Sequence, residues 1–108
     1  MNDKELLELA AKAAGIKHNK GDYANGLDTR KGWWNPLTDD GDALRLAVKL
    51  GLSDGAGLVL YFADADDKSV VMRNVEGSIE VLEVVESDPY AATRHAIVRA
   101  AAEMWRTK

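Results

Sequence analysis

The chain has 108 residues, 46% of them hydrophobic and 30% charged, a balance that supports one packed domain spanning 1–108 and argues against a disordered tail. Its net charge of -4 argues against a nucleic-acid coat, because phosphate binding needs clustered Lys and Arg. With no cysteine it has no disulfide framework, thiolate nucleophile or zinc ribbon.

The opening run places Glu5 three residues after Asn2, a capping-box pattern. Leu6, Leu9, Ala10 and Ala13 recur at helical spacing, Leu7 and Ala14 widen the stripe, and Gly15 supplies a left-handed stop. The spacing predicts a helix to about Ala14 with its apolar face in the core. The same run alternates charges with leucines, where a secretory signal carries a basic leader and an unbroken apolar stretch, so a cytoplasmic protein is expected. The longest apolar run, Ala56 to Ala63, is far short of the roughly 20 residues needed to cross a bilayer, and no membrane association is expected.

From Ile16 to Asn35 the periodicity disappears, and Gly21, Asn25-Gly26 and Gly32 punctuate a polar stretch able to hold a loose hairpin. An irregular connection of this length is uncommon unless it is mobile or functional, which draws attention to residues 18–32. Pro36 holds Asn35 extended, and Thr38 is the expected N-cap of a helix from about Asp39 to Leu50. In that helix Ala43, Leu46, Ala47 and Leu50 point inward, Gly51 ends it and Leu52 closes the cap.

After a turn at Ser53-Asp54-Gly55, three runs of strand-forming residues follow: Leu58 to Ala63, Ser69 to Val75 and Ile79 to Val85. Their short polar connectors predict an antiparallel meander. Asp88-Pro89 opens a last helix, with Tyr90, Ile97, Ala101 and Met104 on an inward face and His95, Arg99 and Arg106 on the opposite, solvated one. The expected fold is therefore α+β: helix, irregular segment, helix, three-stranded antiparallel meander and C-terminal helix, with the helices packed on the sheet.

The segment Trp34-Asn35-Pro36-Leu37-Thr38-Asp39-Asp40-Gly41-Asp42-Ala43-Leu44 and the closing pattern from Ala92 to Ala101 resemble a group of small phage and prophage proteins with the phage α-β-α sandwich domain. The resemblance covers the leading helix and most of the chain from Trp34 onward; residues 18–32 lie outside it. It implies a bacteriophage accessory protein acting in the host cytoplasm, and it transfers no catalytic residue.

The acids Asp39, Asp40 and Asp42 suit a hard cation, but they lack the alternation and terminal Glu of a calcium loop, and a helix N-terminus accounts for them. Asp64, Asp66 and Asp67 read as a hairpin turn, and His18 as part of a polar loop. The glycines of Ser53-Asp54-Gly55-Ala56-Gly57 precede a strand and so make no phosphate loop. No metal or cofactor is expected. Trp33-Trp34, preceded by Arg30-Lys31, is the most informative pair. Trp34 is the expected core anchor, while Trp33, diverging from it, is the candidate contact for a partner or a stacked base.

The candidate binding residues are therefore Arg30, Lys31, Trp33, His95, Arg99 and Arg106. The expected function is noncatalytic binding of a host bacterial protein, in a counter-defence or host-takeover role. Capture of a nucleotide-like small ligand is the alternative, and an enzyme of unspecified type the third reading.

Overall fold

A computed structural model describes residues 2–19, 25–52, 57–64 and 68–107. Helix α1 (Asp3–Ala14) begins where the Asn2 side chain accepts a hydrogen bond from the Glu5 backbone N–H at 2.9 Å. It ends at Gly15, whose φ of 70° lets the N–H groups of Gly15 and Ile16 turn back onto the carbonyls of Lys12 and Ala11.

A hairpin follows, β1 (Leu27–Thr29) paired antiparallel with β2 (Gly32–Trp34). Its turn falls at Arg30-Lys31, whereas Asn25-Gly26 lies before the first strand. The Thr29 hydroxyl ties the turn by donating to the Gly32 carbonyl at 2.6 Å and accepting from the Lys31 N–H at 3.3 Å. His18 forms a β-bridge to Thr29 and the Asn19 N–H donates to the Asp28 carbonyl, so the chain leaving α1 runs beside the hairpin.

The Trp34-Asn35-Pro36 element is the hinge between this hairpin and α2 (Asp40–Gly51). Trp34 and Pro36 are buried, and the carbonyl of Asn35 accepts from the N–H groups of Thr38 and Asp39. The N-cap is Asp39, one residue beyond the expected Thr38; its carboxylate accepts from the Asp42 N–H at 2.8 Å, a stronger charge-assisted bond than a hydroxyl gives. Gly51 is still helical, and Leu52 is the C-cap.

Strands β3 (Leu58–Ala63), β4 (Ser69–Asn74) and β5 (Glu80–Val84) form the expected meander in the order β3-β4-β5. Register places Leu60 beside Met72 and Met72 beside Val81 on one face, and Tyr61, Val71 and Leu82 in a row on the other. Helix α3 (Pro89–Arg106) starts at Asp88, whose carboxylate accepts from the N–H groups of Tyr90 and Ala91. It packs against α1, α2, β4 and β5.

Because neighbours approach from several sides, Ala96, Ile97, Val98, Ala100, Ala101 and Ala102 are all buried. Helix α3 is thus the central strut of the fold, more enclosed over its middle than a one-sided amphipathic reading implies, while Tyr90 in its first turn, expected to face inward, is exposed; its alanines permit the close approach of α1. The fold is α+β with helices packed on the sheet. Residues 20–24, 53–56 and 65–67 lie outside the described set, and with them Gly21, the turn expected at 53–55 and two of the three acids expected in the β3–β4 turn. Among the described residues no helix is long and apolar enough to cross a membrane.

Candidate functional site

The hairpin and α2 enclose a cleft of about 530 Å³. Its apolar floor is Ile16, Trp34 and Leu46, and Trp33 forms a wall. Adjacent residues on a strand point to opposite faces, so burying Trp34 at 8% exposure turns Trp33 outward to 51%. Lys31 comes from the hairpin turn, and Arg45 and Lys49, one helical turn apart on α2, line the same space.

The acids of the α2 N-terminus build this wall. Asp42, only 14% exposed, accepts from the Asn35 N–H at 2.9 Å and from the Arg45 guanidinium at 2.7 Å. Asp39 lies 3.9 Å from the same guanidinium, so Arg45 is held over the cleft by two carboxylates. Asp40 instead pairs with Arg94 at 2.6 Å, and Arg94 also donates to the Leu37 carbonyl at 2.9 Å, bolting α3 to the start of α2. All three acids therefore have structural partners.

Gly26 fixes how the hairpin meets α2. Its φ is 98°, and a Cβ there would lie 2.4 Å from the Trp34 carbonyl oxygen and 2.6 Å from the Asn35 Cβ. Only a residue without a side chain lets β1 approach the Trp-Asn-Pro element this closely.

The expected site residues separate into four places. Lys31 and Trp33 share the cleft, whereas Arg30 lines a different hollow of about 340 Å³ with Lys17, His18 and Asp28. His95 and Arg99 do not join them. Both reach across from α3 to Glu83 on β5: His95 Nδ1 lies 2.8 Å from one carboxylate oxygen and Arg99 Nη1 contacts the other. Partial burial pushes the Glu83 carboxyl up, but the hydrogen bonds and positive charges of His95 and Arg99 more than offset it and hold the group below its ordinary range. This clamp locks α3 to the sheet. Arg106 pairs with Glu103 at 2.9 Å in the last turn of α3.

Sequence reading missed Arg45 and Lys49 as cleft residues, although their i, i+4 spacing in a helix adjoining the double tryptophan was available. It also missed an apolar groove of about 460 Å³ on the other side of α2, bordered by Ala43, Leu44, Leu60, Phe62, Tyr90 and Ile97. That groove joins residues as far apart in sequence as Asp40 and Ile97 and has no local signature.

An aromatic wall, an apolar floor and cations from two elements suit a ligand that combines a flat or apolar body with negative charge. No protein-family model, curated protein or solved structure matches the chain.

Proposed function

We propose that the chain is a noncatalytic accessory protein of phage type that binds a bacterial host protein in the host cytoplasm, seating an acidic segment of that partner in the Trp33 cleft. The observation that carries this reading is the half-exposed Trp33 beside Lys31, Arg45 and Lys49 on a protein whose overall charge is negative. A local basic and aromatic patch on an acidic chain selects anionic partners, and an exposed Trp anchors binding with little ordering cost. The engagement of Asp39, Asp40, Asp42 and Glu83 in caps and ion pairs supports binding over acid–base catalysis.

The sequence resemblance to small phage proteins supports the host setting and a counter-defence or host-takeover role. A second reading, capture of a nucleotide-like ligand, draws on the cleft volume of about 530 Å³, which lies within the range of small-molecule sites.

Affinity capture of tagged wild type and Trp33→Ala from bacterial lysate, with polypeptides and small molecules of the eluate identified separately, tests both. The expected result is a polypeptide recovered with wild type and lost with Trp33→Ala, the two proteins melting alike. A small molecule with the same dependence moves the assignment to ligand capture. Equal recovery with both proteins, or with neither, overturns the cleft as the binding site.

A further inference from the structure

Strand β3 stands at the edge of its sheet, pairing with β4 on one side and with no described strand on the other. Its sequence, LVLYFA, carries no charge and no proline, the devices that usually keep an edge from recruiting another strand. Successive strand residues face opposite sides, yet Leu60, Tyr61 and Phe62 are 39, 43 and 64% exposed. From Leu60 to Phe62 the strand is therefore exposed on both faces, while Leu58 packs against the core, and no strand among the described residues pairs with its outer edge. The apolar groove continues this surface on the helix side, where Leu44 and Tyr90 are also exposed.

We propose that β3 pairs antiparallel with β3 of a second copy of this chain, about a two-fold axis through Tyr61, joining two three-stranded sheets into one of six strands. The three exposed residues centre on Tyr61, so an axis there sets each of them beside an apolar residue of the other copy. In that register Leu60 of each copy lies beside Phe62 of the other, and Val59 beside Ala63, on matching faces. The opposed pairs from Val59 to Ala63 are all apolar, and the first residue of the strand, Leu58, falls opposite Asp64, leaving the two Asp64 residues at opposite ends of the ladder.

The strand is thus complementary to itself in charge and side-chain size, as a closed two-fold contact requires. The axis stands normal to the sheet, so both helix layers stay on one side and Leu44 of each copy moves toward Phe62 of the other. The exposed parts of Leu44, Leu60, Tyr61, Phe62 and Tyr90 come to on the order of 500 Å² per copy, so the apolar surface available across two copies is roughly the 1,000 Å² of a specific interface. The Trp33 cleft opens on the other side of α2, so the pairing is independent of the binding reading and leaves two clefts free.

Sedimentation equilibrium of the full chain over a micromolar-to-millimolar series tests this. Wild type is expected at twice 11.8 kDa, Phe62→Lys and Tyr61→Lys as monomers with wild-type circular dichroism, and Leu82→Lys, on the open sheet face away from β3, as a dimer. A wild-type monomer at every concentration overturns the proposal whatever the variants do. So does a folded Phe62→Lys or Tyr61→Lys that remains dimeric, or a Leu82→Lys that dissociates, which would place the contact on the sheet face.

Discussion

The two sides of α2 differ in how their residues are held. On the cleft side, Asp42 fixes Asn35 and Arg45 by hydrogen bonds at 2.9 and 2.7 Å, so charged groups are braced around an aromatic wall. On the groove side, Ala43, Leu44 and Ala47 line the same open groove as Leu60 and Phe62, with Asp40 and Thr93 as its polar members. The first surface is organised in the isolated chain; the second only loses by facing water. One amphipathic helix therefore supports a prepared polar site and an unfinished apolar one, separated by its buried stripe of Ala43, Leu46 and Leu50.

The largest expected effect separates the two tryptophans that make the cleft. Trp34→Ala removes a buried indole and should cost about 3–5 kcal/mol in urea unfolding, whereas Trp33→Ala should cost less than about 1 kcal/mol. Equal losses would mean that Trp33 belongs to the core and that the cleft wall is a packing feature. Next, Gly26→Ala should cost about 1–3 kcal/mol, because a methyl at a φ of 98° strikes the Trp34 carbonyl and pries the hairpin from α2. A neutral effect by the same method would show that the hairpin sits loosely on α2.

Glu83→Gln comes third, at about 1–2 kcal/mol near neutral pH, since it breaks charge-assisted bonds to His95 and Arg99. Because the folded-state pKa of Glu83 is lowered, its stabilisation is present above the ordinary Glu range and is lost as pH falls through the depressed value. Urea midpoints taken from pH 7 to pH 3 should show the gap between wild type and variant closing with acid. A constant gap would mean that the carboxylate charge contributes nothing to the clamp. Smallest is Lys31→Ala, expected within about 0.5 kcal/mol of wild type in stability. It should nonetheless weaken capture of an acidic partner, more at low salt than at high. Unchanged capture would remove Lys31 from the cleft's chemistry.

The local signals in the sequence were dependable where the physics is local. Asn2, Gly15 and Asp88 mark helix ends through bonds within a few residues, Pro89 marks one by its fixed backbone angle, and the three strand-forming runs make the expected meander. Trp34-Asn35-Pro36 also read correctly as the lead into α2, although a charge-assisted bond moved the cap from Thr38 to Asp39. The hairpin was harder, because its strands have three residues each and its turn uses Arg30-Lys31, with the more conspicuous Asn25-Gly26 outside it.

Of the candidate site, the outward Trp33 and its neighbour Lys31 were legible from strand alternation and charge. Glu83 could not be assigned to His95 and Arg99, because they stand 12 and 16 positions further along, past the end of the strand, a turn and the start of α3, and only the docking of α3 on β5 brings them together. The groove likewise exists only once α2 and α3 have packed, whereas the edge position of β3 follows from the meander order alone.

The most direct test of the central claim is the amount of partner recovered from lysate by Trp33→Ala relative to wild type, with Phe62→Lys run beside it. Loss of the partner by a fully folded Trp33→Ala, with retention by Phe62→Lys, is the expected result and would place recognition on the cleft side of α2. Retention by Trp33→Ala would contradict it.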